Sequence, residues 1–298
     1  MKTFKLLLLV SLALLQAGCK QETNTLPPQK KCEGKLFIIG GGKRPAYMID
    51  RLIAESGVDS AGFVLILPMA SEEEDSAVYY GIKQFKERGV DSVLSINSHL
   101  LKELPNSCLQ LIRIASLIYI SGGDQDRFMN AIEGTKVKET LLEVYCKGAT
   151  IAGTSAGAAV MSHKMITGNE IKHPVYTGDY KSIEANNIEL KNGLGFLDQT
   201  IIDQHFIKRK RLNRMIAVSL ENPESTCIGI DESTALFIKG GIAEVVGESQ
   251  VIVLKHVRAE TKIVNGLLGG KNMDLSVYLP GDSITIDCSL NRESELQN

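Results

Sequence analysis

From residue 35 onward, short apolar runs alternate with longer segments of helical period, and this alternation narrows the fold more than any other feature of the chain. "KLFII", "FVLIL", "SLIYI" and "ATIAG" are each too short for a stable helix and apolar at consecutive positions, so both faces of the strand they predict must be covered. The segments between them, such as "RPAYMIDRLIAES", repeat their apolar residues at three and four positions. Strands apolar on both faces and separated by helices predict an α/β fold: a doubly wound, mostly parallel sheet flanked by helices. One long helix is expected from about Asp126 to Lys147. Beyond Ala235 the texture shifts to shorter strands with turns ("ALFIKGGIAEVVGES", "QVIVLKHV", "SVYLPGDSITID"), giving extra C-terminal β-strands from about residue 236. No internal linker divides residues 34–298, which are read as a single domain.

The chain begins differently. Lys2 and Lys5 precede an apolar stretch from Leu6 to Leu15, and small residues then lead to Cys19. Residues 1–18 read as a secretory signal peptide, too short to be a comfortable membrane span. The Gly18-Cys19 junction resembles the lipobox of bacterial lipoproteins, in which the cysteine is lipidated, although Gln16 departs from the usual aliphatic residue. The expectation is an exported, membrane-anchored lipoprotein, with plain secretion as the alternative. Residues 19–33, polar and carrying Pro27 and Pro28, read as a tether. Five cysteines follow Cys19, none in C-x-x-C spacing. Export permits disulfides, and the odd number leaves at least one thiol unpaired. Cys146 and Cys227 lie in apolar runs and are expected to be buried small hydrophobes.

In a parallel sheet, function gathers at the carboxyl ends of the strands. Those ends are Gly40-Gly41-Gly42, Ser121 to Gln125, Thr154-Ser155, "TIIDQH" ending at His205, and "CIGIDES" with Asp231 and Glu232. Gly153-Thr154-Ser155-Ala156-Gly157 matches G-x-S-x-G between a strand and a helix. There the glycines clear space for a serine in a strained conformation, and the helix N-terminus offers N–H groups to an anion. Tight backbone packing alone would also explain so many small residues. A serine needs a base; His205 has the best placement, His99 is its rival, and His163, His173 and His256 lie elsewhere. Glu232 is the candidate acid, with Asp231, Asp203, Glu170 and Asp124 as competitors. The order Ser, His, Glu differs from the Ser, acid, His order of α/β-hydrolases. Backbone N–H groups of Ala156, Gly122 and Gly123 would receive the oxyanion.

Lys208, Arg209, Lys210, Arg211 and Arg214 crowd the segment after His205. Such runs are often solvated helix faces, but guanidinium forks suit carboxylates. A carboxylate-rich substrate is therefore a sensible partner. A nucleic acid is not expected, because the net charge of −2 and the absence of Trp give no basic, aromatic-lined surface. No cluster of metal-ligand type is visible, so no metal and no organic cofactor is expected. A homodimer is left open.

Taken together, "SGGDQ", "GTSAGAAVM", "DQHFIKRKRLNRM" and "GIDESTAL" resemble cyanophycinases and related serine peptidases, which include alpha-aspartyl dipeptidase. The resemblance covers roughly residues 35–255. It implies a class I glutamine amidotransferase-like fold with serine at the elbow, and a Ser155–His205–Glu232 triad. It also implies substrate-binding roles for Gln125, Asp203, Gln204, Arg209, Arg211 and Arg214. Asp203 would meet a substrate guanidinium, and the three arginines its carboxylates. The implied reaction is hydrolysis of cyanophycin, an arginine-bearing polyaspartate, to β-Asp-Arg dipeptides. The alternatives are an aspartyl dipeptidase or amidase of other preference, and a peptide-binding lipoprotein without turnover.

Overall fold

The computed structural model of the protein describes residues 32–60, 62–175, 180 and 182–287. The leader, the tether with Cys19, and Cys288 lie outside the described residues. Along the chain run β1 (Lys35–Ile39), α1 (Ala46–Ser56), β2 (Val64–Leu67), α2 (Glu74–Lys86), β3 (Val93–Ser95), α3 (Ser98–Glu103), α4 (Pro105–Ile114) and β4 (Leu117–Ile120). Then come α5 (Gln125–Ile132), α6 (Val137–Cys146), β5 (Thr150–Thr154), the single turn α7 (Ala156–Ala159), β6 (Lys164–Glu170), β7 (Ile188–Asn192) and β8 (Thr200–Gln204). The last part holds α8 (Leu212–Glu221), β9 (Thr226–Ile230), β10 (Thr234–Lys239), β11 (Ile242–Gly247), β12 (Val251–Val264), β13 (Leu267–Tyr278) and β14 (Ser283–Thr285).

Eight strands form the main sheet in the order β14-β11-β10-β1-β5-β4-β2-β3. The five from β1 to β3 are parallel, as their apolar runs predict, while β10, β11 and β14 extend the sheet antiparallel beyond β1. The result is a mixed sheet with helices. Alternation along β1 shows why both faces are apolar. Leu36 and Ile38 pack into one core with Leu65, Ile118 and Ile151 and with Ile112 and Leu141 of the helices α4 and α6. Phe37 and Ile39 face the opposite core with Met48 and Leu52 of α1 and Phe85 of α2.

Three expectations need correction. Strands β8 and β9 do not continue the main sheet; they form a second sheet, β13-β12-β9-β8, packed with α8. The reason is occupancy. Both edges of β5 are already taken by β1 and β4, and β1 is closed on its other side by β10. The single helix expected over 126–147 is two, α5 and α6. Between them Gly134 has a φ of 69°, and Thr135 Oγ1 accepts from the Val137 N–H at 3.2 Å while donating to the Ile132 carbonyl at 2.6 Å. This hydroxyl caps both helix ends and replaces the turn that would have joined them. Finally, Cys146 is no free hydrophobe: it is disulfide-bonded to Cys32, 114 residues earlier. Cys227 is a buried free thiol, as expected, and burial pushes its pKa up to about 12. Cys108 is also free and buried.

The disulfide closes a loop that contains all five parallel strands except β5. Replacing Cys146 with Ala is expected to cost about 2–5 kcal/mol of stability. Denaturant unfolding of the oxidised protein and the variant measures this directly, and reductant should then destabilise only the parent.

Candidate active site

Ser155 follows β5 directly and begins α7, with φ 54° and ψ −112°. A serine at positive φ is held there by its surroundings. A Cβ on Gly153 would come within 2.1 Å of the Gly157 carbonyl, and one on Gly157 within 2.4 Å of the Ile120 carbonyl. Close packing and a projecting hydroxyl are therefore the same fact: the turn is sharp enough to lift Ser155 because its flanks are bare.

His205 follows β8, and Glu232 follows β9. Ser155 Oγ lies 2.8 Å from His205 Nε2, and His205 Nδ1 lies 2.7 Å from Glu232 Oε1. This arrangement fits the Nδ1–H tautomer, with Nε2 free to accept the serine proton. His205 also has a positive φ, 50°, and is only 7% exposed. Its pKa is held below the ordinary imidazole value. Burial is the main cause; the Glu232 hydrogen bond opposes it, and the nearby positive charges of Arg209 and Arg211 reinforce it. A neutral imidazole at neutral pH is what a base requires.

The glycines after β1 bear on both side chains. Gly41 (φ 113°) presses against the imidazole, so that a Cβ there would fall 2.4 Å from Cε1 and 2.5 Å from Nε2. A Cβ on Gly42 would fall 2.9 Å from Glu232 Oε2. In the sequence these glycines mark one of the strand ends at which function is expected, without a role for either glycine. The run of three was the available signal; the contact with a side chain 164 positions later was not visible in it. Gly122 stands beside the serine, where a Cβ would fall 3.3 Å from Ser155 Cβ. Among the described residues, no acceptor takes the N–H of Gly122, Gly123 or Ala156. These groups are therefore available to an oxyanion.

The competing residues have other employment. Asp231 Oδ1 accepts the N–H groups of Ile207 and Lys208, and its Oδ2 accepts from Ser249 Oγ. Asp124 caps α5, and Glu170 accepts from Asn187 Nδ2. His99 lies in α3, His163 precedes β6, His173 pairs with Glu184, and His256 lies in β12. Among the described residues, no group of three or more His, Cys, Asp or Glu side chains is gathered closely enough to hold a metal ion.

The residues assigned to substrate divide into buried and exposed. Asp203 and Arg214 are each 1% exposed and bonded to one another, Arg214 Nε donating to Asp203 Oδ2 at 2.7 Å and Nη2 to Oδ1. Arg211 Nη1 donates to Asp203 Oδ1 at 3.2 Å, to Gln204 Oε1 at 2.9 Å and to the Gln204 carbonyl. Direct contact of Asp203 with a guanidinium of substrate, and of Arg214 with a carboxylate, is thereby corrected: each already has its partner inside the protein. Gln125 is buried too, its Nε2 donating to the carbonyls of Ile166 (2.8 Å) and Thr167 (2.5 Å). Arg209 alone of the three arginines is exposed beside His205. Tyr180, for which the sequence held no signal, lays its ring under Arg214 at 4.9 Å and accepts from Arg214 Nη1.

Two solved structures share this fold. A peptidase from an acI-B1 Actinobacterium matches with a TM-score of 0.62 and 24% identity, covering 87% of this chain and 99% of that one. A putative Peptidase E protein from Listeria monocytogenes EGD-e matches with a TM-score of 0.53 and 19% identity, covering 72% and 99%. In sequence, the chain is 32% identical over 264 residues to a cyanophycinase of Synechococcus elongatus, covering 84% of this chain and 78% of the relative. It is 29% identical over 258 residues to the cyanophycinase of Trichormus variabilis, covering 83% and 84%. Fold and relatives together define a serine peptidase of cyanophycinase-like type. The chain belongs to peptidase family S51, whose family model matches residues 36–246.

Three outcomes follow from the geometry. Gly41→Ala should displace the imidazole and lower kcat/KM by roughly 100-fold or more, with the protein still folded by circular dichroism. The acid limb of the kcat/KM profile should have its midpoint below the ordinary imidazole value of 6.5, because activity requires neutral His205. Arg209→Gln removes a charge that disfavours the imidazolium, so the limb should move to higher pH.

Proposed function

We propose that the chain is an exported serine peptidase that hydrolyses aspartyl peptide bonds of cyanophycin or a similar arginine-bearing polyaspartate, releasing β-Asp-Arg dipeptides. The observation that carries the reading is the continuous hydrogen-bonded series Ser155 Oγ, His205 imidazole, Glu232 carboxylate, gathered from three strand ends. Ser155 attacks the carbonyl while His205 Nε2 takes its proton, and Glu232 stabilises the resulting imidazolium. The N–H groups of Ala156 and Gly122 or Gly123 receive the oxyanion. Collapse of the tetrahedral species expels the amine, protonated by His205, and leaves an acyl-serine. A water, deprotonated by the same nitrogen, then attacks the ester and frees Ser155. The serine at the elbow of a parallel sheet and the Ser, His, Glu order favour a class I glutamine amidotransferase-like fold over an α/β-hydrolase.

Export is supported by the leader and by the Cys32–Cys146 disulfide, since such bonds persist in oxidising compartments. Anchoring through a lipidated Cys19 belongs to the same reading. On the substrate side, Arg209 is the one of the three arginines exposed to meet a carboxylate directly, flanked by exposed Lys208 and Lys210. Asp203, Gln204, Arg211 and Arg214 act as the wall behind it. A second reading, an aspartyl peptidase with another side-chain preference, gains from the inward position of Asp203: no free carboxylate remains there to select a guanidinium.

Ser155→Ala should reduce hydrolysis of cyanophycin and of β-aspartyl peptides to a residual of at most about 10³–10⁴-fold over the uncatalysed rate. A fluorophosphonate should label the parent at Ser155 and leave the variant unlabelled. Near-native turnover by the variant would overturn the assignment. Comparable rates on Asp-Arg and on arginine-free aspartyl peptides would favour the second reading.

A further inference from the structure

The turn that carries the base also carries the positive charge beside it. Its two ends are anchored. The His205 N–H donates to the Gly40 carbonyl at 2.8 Å, and Phe206 is buried so close to β9 that a Cβ on Gly229 would fall 2.3 Å from its Cγ. At the other end Arg211 is pinned by Asp203 and Gln204. Between these points residues 207–210 make an exposed excursion with Lys208, Arg209 and Lys210 in succession. Neighbouring cations repel one another, and Lys210 stands at a φ of 52°, where a side chain is strained. Packing does not hold this segment, since its one apolar side chain, Ile207, is itself 40% exposed.

Asp231, from the turn after β9, holds it instead. Its Oδ1 accepts the N–H of Ile207 at 3.0 Å and that of Lys208 at 2.9 Å, while Oδ2 accepts from Ser249 Oγ at 2.8 Å. The residue is buried, and Ser249 is itself fixed, its N–H donating to Thr234 Oγ1 at 2.8 Å. The next N–H along the excursion, that of Arg209, donates to the His205 carbonyl at 2.9 Å. Three successive N–H groups thus point inward, and the Arg209 side chain departs from the last of them. Hydrogen bonds to an ionised carboxylate are about twice as strong as neutral ones. The acid that orients His205 and the acid that holds the turn after it are therefore consecutive residues with separate tasks.

We infer that Asp231 is a positioning residue, which fixes the exposed turn 207–210 so that Arg209 stands ready for a substrate carboxylate beside His205. The inference rests on the hydrolase reading above, in which Arg209 meets such a carboxylate. It gives Asp231 a part in substrate selection that runs through Arg209, without contact of its own to the substrate.

The test is a double-mutant cycle on two short arginine-bearing aspartyl peptides that differ only in whether the arginine carboxyl groups are free or amidated. Arg209→Gln should raise the KM of the free-carboxylate peptide about fivefold, and Asp231→Ala about threefold. The double variant should show no more than the effect of Arg209→Gln alone. In Asp231→Ala, kcat and both constants of the amidated peptide should stay within about twofold. Its rate of fluorophosphonate labelling at Ser155 should match the parent, because Gly40 and Phe206 hold the base without Asp231. Asp231→Asn keeps an acceptor oxygen for the two N–H groups and should fall between the parent and Asp231→Ala; it takes the place of Asp231→Ala in the cycle if that variant does not fold. Additive effects of the two substitutions, equal losses on both peptides, an unchanged KM in either single variant, or slowed labelling of Asp231→Ala would overturn the inference while leaving the hydrolase reading intact. If the parent cleaves neither peptide and Ser155 takes no fluorophosphonate, the hydrolase reading fails, and the inference with it.

Discussion

The end of β1 holds the site together. The Ile39 carbonyl accepts the N–H of Ser155 at 3.0 Å, and the next carbonyl, Gly40, accepts the N–H of His205 at 2.8 Å. The Gly41 carbonyl accepts the N–H of Ser233, the residue after Glu232, at 2.9 Å. Three successive carbonyls thus fix the backbones that carry or adjoin all three side chains. The serine comes from the main sheet, while the histidine and glutamate come from the second. The two sheets share one core, in which Ile202, Ile228 and Ile230 pack with Leu36 and Ile38, and these backbone bonds fix the register that the 2.8 Å contact needs.

Behind the histidine lies a buried group of charges. Asp203, two residues before His205, sits between Arg211 and Arg214 with almost no exposure. Burial pushes its carboxyl toward protonation, but the two guanidiniums and the Gln204 N–H outweigh this and hold it below its usual range. Arg214, with Asp203 on one side and Tyr180 on the other, is raised despite its burial. Arg211 is lowered, by burial first and then by the charge of Arg214. Desolvating such a group is costly, and breaking it would leave an unpaired buried ion. Its work is therefore geometric: it anchors the chain leading into His205 and supports the turn on which Arg209 stands.

Much of this was legible in the sequence, and the limits have physical reasons. Apolar runs such as "FVLIL" betray buried parallel strands because no solvent-facing position interrupts them. The strand-end rule then finds Ser155, His205 and Glu232, whose side chains the fold brings within hydrogen-bonding distance. Sheet membership was not legible, since 200–204 and 226–230 have the same buried pattern in either sheet. The inward turn of Asp203 and Arg214 was hidden for a similar reason. A charged residue close to a site reads as solvent-exposed until its partner is known, and pairs 11 positions apart across a turn leave no periodic trace. Contacts such as that of Gly41 with His205 and Tyr180 with Arg214 depend wholly on tertiary placement.

The bond between Cys32 and Cys146 has a mechanical meaning as well. Cys32 stands three residues ahead of β1, the strand whose far end organises the site. Tension applied to the chain ahead of Cys32 divides at the sulfur bridge, and part of it passes directly into the end of α6 and the start of β5. The hydrogen bonds of β1 to its neighbours are then not loaded alone in series. A pull on the chain ahead of Cys32 therefore leaves the strand end beneath Ser155 and His205 in register.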